Sequence, residues 1–385
     1  MRENTNRRSF LFEAAAAAST AVASAQEQEQ EIRTAFIGVG VRGGSLLKQT
    51  LAQQNVKVAA ICDIDPQTRD RALSAAARDN PKSITEWRAV LDLAGVDAVY
   101  VASPCDLHAE MAAVCLEAGK YVYCEKPLGI TPQQVDRVLR AARKSKGFLQ
   151  IGQQLRYFPS MREAIKQVHE GIVGKTYIIK AHRHGSRGRP KTGAEPSQQE
   201  ATRTAWYADV KRSGDLIVEN AVHNIDACNW IANARPVSAY GHGKKYFPTP
   251  IPPGTVMMDG FSVEYIYDND MHCDYSQISF HPRNLKTLPS GMWYTIFGEK
   301  GSVYLTHSSA TLYDLYSEAG PRNLLPDGLG ERDTAIADFL ACVRAKRQPF
   351  ADVRVGAVAA LTAIMGREAI YKGRSVTWKE LGVEV

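Results

Sequence analysis

The sequence predicts an α/β protein: an N-terminal Rossmann domain with a doubly wound parallel sheet, then an α/β domain with an open, mostly antiparallel sheet. Two observations lead to this prediction. From residue 32 to about residue 152, short and uniformly apolar runs alternate with helical segments, which is typical of parallel strands buried on both faces. Beyond about residue 155, β-branched and aromatic runs are separated by turn residues, which indicates antiparallel strands.

The N-terminal part predicts repeated strand–helix units. Strands are predicted at 32–38, 56–62, 99–102, 121–124 and 148–152, and helices at 42–53, 65–77, 107–118 and 131–144, the last capped by Thr131. Such units form a parallel sheet with helices on both faces. We therefore expect residues 32–152 to form the Rossmann domain.

The C-terminal part predicts a second domain over residues 153–385. Strands are predicted at 173–181, 237–242, 261–267, 273–280, 293–297 and 302–306, and helices at 331–346 and 356–371. These last helices can pack back on the Rossmann domain. The long polar segment 185–213 indicates a functional loop.

Residues 1–31 predict an export signal and a polar spacer rather than folded structure. Paired arginines, Arg7 and Arg8, precede an alanine-rich run, and Ala23-Ser24-Ala25 is typical of a cleavage site. The pattern resembles a twin-arginine signal cleaved after Ala25. We expect a periplasmic or otherwise exported protein that crosses the membrane folded, with its cofactor bound.

Composition and charge exclude several other classes of partner. The 385 residues carry a net charge of +6, and no basic run alternates with aromatic residues, so nucleic acid is not an expected partner. No apolar stretch reaches the roughly 18 residues of a membrane span. The seven cysteines are scattered without a C-x-x-C pair, so neither a disulfide framework nor a zinc site is expected, and we predict no metal.

A glycine motif directly follows the first predicted strand. Gly38, Gly40 and Gly43 form G-x-G-x-x-G at the start of the first helix, where backbone N–H groups can approach a pyrophosphate. Asp63 ends the second strand 20 residues after Gly43, where a carboxylate can bind the adenine ribose and repel a 2′-phosphate. NAD is therefore the predicted cofactor. Its predicted contacts on the turn are Gly38, Gly40, Val41, Arg42 and Gly43.

Further motifs occur in the order found in one oxidoreductase family. They are Ser103-Pro104 with His108, Ala118-Gly119-Lys120, Glu125-Lys126-Pro127, Gly152–Pro159, Gly298–Ser302 and Glu368–Arg374. On these residues the chain resembles the Gfo/Idh/MocA family, which includes glucose–fructose oxidoreductase and inositol dehydrogenase. The resemblance implies a dimer or tetramer formed through the open sheet. It also implies that the cofactor is lined by Ser103, Pro104, His108, Glu125, Lys126 and Gln154.

Three side chains are the predicted catalytic residues. Lys126 follows the C-terminal end of a parallel strand, where such sheets bind ligands, and its ammonium group can stabilise an alkoxide as hydride leaves. Glu219, His223 and Asp226 have the spacing of one helix face. His223 can take the hydroxyl proton while Glu219 orients or charges it. The family usually has aspartate where Glu219 stands, so the role of Glu219 stays open.

The predicted substrate contacts come from several segments. Arg156 matches a polar residue of the family just after the domain crossover, and Asp226 either anchors its helix or binds substrate. Trp206 and Tyr207 can stack on a sugar face, and an aromatic residue there is equally reasonable as core. His184, at the edge of the long polar segment, is expected to line the site.

These features leave two reactions open. In the first, a hydroxyl of a sugar, polyol or glycoside loses its proton to His223 and Lys126 and its hydride to tightly bound NAD, which a second substrate reoxidises. In the second, a redox-neutral glycoside hydrolase or lyase transiently oxidises C3, eliminates the C1 substituent, adds water and returns the hydride. A non-catalytic NAD-binding sensor is disfavoured because Lys126, Glu219 and His223 are all present. The sugar, its anomer and the oxidised hydroxyl stay open.

Overall fold

The computed structural model describes residues 31–186, 205–247, 257–282, 290–318, 320–330 and 334–385. The predicted export signal and most of the polar segment 185–213 lie outside these residues. In the described part of the chain, no helix combines the length and the apolar character that crossing a membrane requires.

The N-terminal domain is built on a six-stranded sheet in which all neighbouring strands are parallel. The strands are β1 (Ile32–Ile37), β2 (Val56–Cys62), β3 (Lys82–Ile84), β4 (Ala98–Val101), β5 (Tyr121–Cys124) and β6 (Leu149–Ile151). Their order, β3-β2-β1-β4-β5-β6, is that of the doubly wound Rossmann fold, so the predicted fold of this domain is confirmed. The sequence analysis missed β3, a short and largely exposed edge strand.

Helices connect these parallel strands. They are α1 (Val41–Leu51), α2 (Pro66–Ala75), α3 (Cys105–Glu117) and α4 (Pro132–Lys144). Thr131 caps α4 as predicted, and its hydroxyl accepts a hydrogen bond from the backbone N–H of Gln134 at 3.2 Å. All residues of β4 are buried, as expected for a strand covered on both faces.

The second domain contains a nine-stranded sheet within the described residues. Its strands are β7 (Thr176–His184), β8 (Pro236–Lys244), β9 (Gly260–Tyr267), β10 (His272–Ile278), β11 (Gly291–Gly298), β12 (Gly301–Leu305), β13 (Ala310–Asp314), β14 (Arg322–Asn323) and β15 (Val376–Thr377). Their order is β14-β13-β12-β11-β7-β10-β9-β8-β15. Only β7 and β10 pair in parallel among these strands, so the predicted mostly antiparallel sheet is confirmed. The sequence analysis missed β13, β14 and β15.

Six further α-helices follow β6 within the described residues. They are α5 (Pro159–His169), α6 (Val210–Ser213), α7 (Leu216–Glu219), α8 (Val222–Ala232), α9 (Ala335–Ala345) and α10 (Val353–Lys372). α8 packs on β7, and α10 packs on β8 and β9. Along β10, Cys273, Tyr275 and Gln277 are buried on the covered face, whereas the alternate residues are only partly buried on the open face.

The last two helices join the second domain to the first. Phe339 on α9 packs edge-on against the rings of Tyr100 and Tyr123 in the Rossmann sheet, with centroids 5.4 and 5.7 Å apart. α10 lies against β6 so closely that a Cβ on Gly356 would lie 3.1 Å from Cβ of Ile151. Because α10 contacts both β6 and β8, it lies between the parallel sheet and the open sheet.

Candidate active site

The glycine turn connects β1 to α1 at the carboxyl edge of the parallel sheet. Gly38 has a φ of +82°, and a Cβ there would lie 2.7 Å from the carbonyl oxygen of Ala102. A Cβ on Gly43 would lie only 2.0 Å from the carbonyl oxygen of Gly38. A Cβ on Gly40 would meet nothing within 4 Å. Two glycines therefore close the turn, and Gly40 leaves open space through which a pyrophosphate can approach the N-terminus of α1.

Asp63 follows β2 and lies beside this turn, as the predicted contact with an adenine ribose requires. Its Oδ2 accepts a hydrogen bond from the backbone N–H of Val39 at 2.8 Å, and its Oδ1 accepts one from Asp65 N–H at 3.0 Å. The first turn of α1 carries no acidic side chain, so the positive end of the helix dipole is available to an anion. The turn, the open space and the carboxylate together fit the predicted NAD.

Gly43→Ala is expected to disrupt this turn, because the added Cβ would overlap the carbonyl oxygen of Gly38. We expect the free energy of unfolding to fall by about 1–3 kcal/mol, and the affinity for NAD to fall with it. Gly44→Ala is the matched control, since its Cβ would lie an ordinary 3.5 Å from the carbonyl oxygen of Val39. Chemical denaturation and NAD titration measure both variants, and equal stabilities would contradict the packing described here.

Arg42 links the glycine turn to the segment that carries the predicted catalytic lysine. Its Nε donates to Oε1 of the buried Glu125 at 2.6 Å. Oε2 of Glu125 accepts a hydrogen bond from the backbone N–H of Lys126 at 3.3 Å. Gly152 leaves room for this carboxylate, because a Cβ there would lie 2.8 Å from Oε1 of Glu125. Arg42 and Glu125, both predicted cofactor contacts, thus form an ion pair between the turn and Lys126.

His108 also contacts the segment that carries Lys126. Its side chain is buried, and its ring nitrogens lie 2.7 Å from the carbonyl oxygen of Ser103 and 2.8 Å from that of Pro127. Burial lowers the pKa of this imidazole. Because both ring nitrogens contact backbone carbonyls, His108 positions the turn that follows Lys126. Direct cofactor contacts by Ser103 and by Pro104, the N-cap of α3, stay predictions.

Lys126 and Glu219 form a buried ion pair although they are 93 residues apart in the sequence. Nζ of Lys126 donates to Oε1 of Glu219 at 2.8 Å and to the carbonyl oxygen of Glu219 at 2.6 Å. The two side chains are 14% and 10% exposed. Burial opposes both charges, but the attraction between the partners outweighs it, so the pKa of Lys126 is raised and that of Glu219 is lowered. Lys126 is therefore a protonated hydrogen-bond donor, and Glu219 is ionised.

His223 supplies a neutral imidazole beside this ion pair. Lys126, Glu219 and His223 together are called the charged cluster below. Its Nδ1 lies 3.1 Å from Oε1 of Gln153. An amide oxygen accepts, so the ring proton lies on Nδ1 and Nε2 keeps its lone pair. Burial, and then the positive charges of Lys126, Arg183 and Arg42, hold the pKa of His223 well below 6.5. A neutral imidazole of this kind can take a proton from a hydroxyl group.

The structure corrects the prediction that Glu219, His223 and Asp226 share one helix face. α7 ends at Glu219 and α8 begins at Val222, so the helix is interrupted between the first two residues. Asp226 binds the side chain of Arg156 instead, with Nε–Oδ2 and Nη2–Oδ1 distances of 2.8 and 3.0 Å. Both partners are buried and tie the domain crossover to α8. Substrate contacts by these two residues stay predictions.

Of the two predicted aromatic contacts, the structure brings Tyr207 to the ion pair. Burial and then the charge of Glu219 raise the pKa of Tyr207, and Lys126 and then Tyr207 favour the ionised form of Glu219, whose pKa is lowered. The ring of Trp206 meets that of Tyr207 edge-on, with centroids 5.8 Å apart, and packs partly buried against the core. Tyr207 is thus the aromatic residue that lies with the charged cluster.

The structure does not bring His184 to this cluster. β7 continues to His184, three residues beyond the predicted strand end, so His182 and His184 share the open face of the sheet. There the ring of His184 lies 5.5 Å from that of His182 and 5.0 Å from that of Trp293. The intervening Arg183 points to the covered face, towards α8. Substrate binding by His184 stays a prediction.

Two residues that adjoin the charged cluster, Gln153 and Arg183, were not predicted. Gln153 contacts His223, whereas the prediction named its neighbour Gln154, which begins a short 3-10 turn. Arg183 was also missed, and its Nη1 lies 3.4 Å from the carbonyl oxygen of Asn220. Alternation along β7 is the signal that places Arg183 on the covered face, but it becomes informative only when the strand is extended to residue 184.

The charged cluster lies where the carboxyl edge of the Rossmann sheet meets α7, α8 and β7. A protonated amine, an ionised carboxylate and a neutral imidazole meet there. They can deprotonate a hydroxyl group and stabilise the resulting alkoxide. NAD, when bound at the glycine turn, supplies a hydride acceptor. The arrangement is that of a two-domain protein in which the first domain provides a dinucleotide site and the second adds ionisable side chains beside it.

The family follows from both halves of the chain. Residues 32–153 match the model described as the Gfo/Idh/MocA oxidoreductase family with an NAD-binding Rossmann fold. Residues 161–304 match the Gfo/Idh/MocA C-terminal domain. The chain therefore belongs to the Gfo/Idh/MocA oxidoreductase family, and NAD is confirmed as the cofactor of its Rossmann domain.

Curated relatives of the chain include two kinds of enzyme. A glycosyl hydrolase family 109 protein of Stenotrophomonas maltophilia is 31% identical over 177 residues, covering 43% of this chain and 39% of that protein. Inositol 2-dehydrogenase of Salmonella typhimurium is 27% identical over 261 residues, covering 63% of this chain and 70% of that protein. The match to the first of these relatives thus spans less than two thirds of its length.

Solved structures of similar fold cover nearly the whole chain. Levoglucosan dehydrogenase in complex with NADH and levoglucosan has a TM-score of 0.75 at 20% identity, covering 90% of this chain and 99% of that one. A putative oxidoreductase from Thermotoga maritima has a TM-score of 0.73 at 18% identity, covering 90% and 100%. These likenesses show the two-domain fold.

Proposed function

We propose that this protein is an NAD-dependent oxidoreductase that acts on a hydroxyl group of a sugar, polyol or glycoside. One observation carries the proposal: Lys126, Glu219 and His223 meet as a protonated amine, an ionised carboxylate and a neutral base. A lysine that served only as a surface charge would be exposed. Lys126 is instead buried beside a carboxylate, at the edge of the sheet where dinucleotides bind. The inositol and levoglucosan dehydrogenases among similar proteins support a polyhydroxylated substrate.

Each residue has one role in this reaction. Nε2 of His223 takes the hydroxyl proton, because its imidazole is neutral at the working pH. Lys126 donates a hydrogen bond to the same oxygen and stabilises the negative charge that develops on it. Glu219 keeps Lys126 protonated and fixes its Nζ. Gln153 holds the tautomer of His223.

We further propose that the protein is exported and keeps its NAD bound through the catalytic cycle. The twin-arginine pattern at Arg7 and Arg8 supports export, because proteins with this signal cross the membrane folded. A cofactor that cannot be replaced outside the cell must be reoxidised in place by a second substrate. Cell fractionation, and NAD analysis of the purified mature protein, measure the two parts of this proposal.

We also propose a dimer or tetramer formed through the open face of the second sheet. Four large apolar side chains on that face are exposed by 38–49%, namely Tyr240, Ile266, Phe297 and Tyr313. Burial of such a surface against a second copy of the chain would remove it from water. Light scattering of the purified protein measures the oligomeric state.

A second candidate function is redox-neutral cleavage of a glycoside. The family 109 glycosyl hydrolase among the relatives supports it, and so does the position of Tyr207 against Glu219. That reaction needs one group more than a dehydrogenase does, namely a base for the C2 proton after C3 is oxidised. Tyr207, Glu219 and His223 are the available candidates.

One experiment separates the two functions. The mature protein with its co-purified NAD is offered aryl glycosides in deuterated water, with no cofactor added. Release of the aryl alcohol with deuterium incorporated at C2 indicates redox-neutral cleavage. Reduction of the bound NAD by the sugar, with the glycosidic bond intact, indicates the oxidoreductase that we propose. If neither product forms with any sugar, polyol or glycoside, both assignments are wrong.

A further inference from the structure

Arg183 adjoins the charged cluster, and the proposed reaction gives it no role. It lies near the end of β7 on the covered face of the open sheet, paired in register with Gln277 of β10 and Met292 of β11. Its side chain is partly buried, and its charge lowers the pKa of His223. The guanidinium group therefore lies close to the reacting centre.

Arg183 is weakly bonded for a partly buried arginine. In the described part of the chain its guanidinium makes a single hydrogen bond, to the carbonyl oxygen of Asn220, at the long distance of 3.4 Å. Most of its five N–H donors are not used by this contact. Asn220 is also fixed independently, because its Oδ1 accepts a hydrogen bond from Nε2 of Gln277 at 2.8 Å. Holding Asn220 is thus not a sufficient reason for a cation at this position.

The charges around the reacting centre do not balance without a ligand. Arg42 has Glu125 as its partner at 2.6 Å, and Lys126 has Glu219 at 2.8 Å. No carboxylate of the described residues forms an ion pair with Arg183; its charge reaches Glu219, the partner of Lys126, only at longer range, where it adds to the effect of Lys126 on the pKa of that carboxyl. A partly buried charge is costly unless an opposite charge meets it, and an oxidised nicotinamide adds a further positive charge to this site.

We infer that Arg183 is a specificity-determining residue that binds a carboxylate group on the sugar substrate. This inference rests on the proposed function and narrows its substrate class to uronic acids and their glycosides. A guanidinium group presents paired N–H donors in a plane, which matches the two oxygens of a carboxylate. The substrate carboxylate then supplies the missing counter-charge, while a neighbouring hydroxyl of the same ring reaches Lys126 and His223.

The test compares sugars that differ only at C6, as matched pairs of hexose and hexuronic acid in the gluco, galacto and manno series. Calorimetric binding to the NAD-loaded full chain is measured for each pair, together with reduction of the bound NAD. For at least one pair we expect the wild-type protein to bind the uronic acid about 10- to 100-fold more tightly than the hexose, with a preference that weakens in high salt. Arg183→Gln should weaken uronic acid binding far more than hexose binding and so remove this preference. Arg374→Gln, on an exposed pair with Glu380, is the matched control.

The outcomes distinguish the inference from the proposed function. Equal or weaker binding of every uronic acid by the wild-type protein overturns the carboxylate assignment, and so does tighter binding of hexose 6-phosphates. Equal loss of hexose and uronic acid binding in Arg183→Gln would make Arg183 a positioning residue for the Asn220 segment. Loss of NAD from that variant would assign Arg183 to the cofactor. If uronic acids bind in a way that depends on Arg183 but never reduce the bound NAD, the carboxylate site is supported and the proposed oxidation is contradicted.

Discussion

Replacing Lys126 by Met is expected to lower kcat about 10³-fold or more while NAD remains bound. The ammonium group is the hydrogen-bond donor placed to stabilise the developing alkoxide, and loss of one such donor or of an acid–base group typically costs 10²- to 10⁴-fold in rate. The glycine turn and Asp63, the predicted dinucleotide contacts, do not contact Nζ of Lys126. NAD content after purification and single-turnover reduction of bound NAD measure the two effects separately.

The same substitution also leaves Glu219 buried without its partner. Breaking a buried ion pair by removing one charge costs about 3–5 kcal/mol, so Lys126→Met alone should be less stable than the wild-type protein. The double variant Lys126→Met/Glu219→Gln removes both charges and should recover most of this stability without recovering activity. Lys146→Met, at an exposed position, is the matched control. Activity in the stable double variant would refute the role of Lys126.

The fold could be predicted because its signals are local. Strands β1, β2, β4 and β5 of the first domain are short, largely apolar and each followed by a helix, so the period of the hydrophobic pattern determines the type of each element. The glycine turn and Asp63 are close in sequence, and their spacing indicates a dinucleotide site. Three of the four missed strands, β3, β14 and β15, have only two or three residues each, too few for a periodic pattern to emerge.

The catalytic cluster could be predicted only as far as motifs reach. Lys126, Glu219 and His223 lie in recognisable sequence motifs. The ion pair between Lys126 and Glu219, however, depends on tertiary packing between residues 93 positions apart. The interruption between α7 and α8 shows the limit of helical spacing, because it separates Glu219 from the helix that carries His223 and Asp226, and Asp226 pairs with Arg156. Spacing cannot reveal such a break when the flanking residues are all compatible with a helix.

Arg183 shows a different limit of sequence reasoning. It lies between His182 and His184, the second of which was a predicted substrate contact, yet the strand places both histidines on the open face and Arg183 on the covered face. A polar residue within a strand has no periodic signature of its own. Arg183 matters because the fold places its charge near Glu219 and His223.

The pH dependence of kcat/KM is expected to show an acid limb well below pH 6.5. His223 must be neutral to accept a proton, and burial together with three positive charges lowers its pKa, so activity is lost only when pH falls through that lowered value. Lys126 has a raised pKa and stays protonated, so it adds no limb near neutrality. His223→Ala should lower kcat by about 10²- to 10⁴-fold and remove the limb, whereas His242→Ala, exposed on the open face, should do neither.

The same shift connects activity to stability with a definite sign. In the unfolded chain His223 titrates near its ordinary value of about 6.5, whereas in the folded protein it stays neutral to lower pH. The stability contributed by the neutral imidazole is therefore present above pH 6.5 and is lost as pH falls below it, since only the unfolded state then gains a proton. Arg183→Gln removes one of the charges that lower this pKa, so with a neutral sugar its acid limb should move towards 6.5. An acid limb at or above 6.5 in the wild-type protein would show that His223 is not the base.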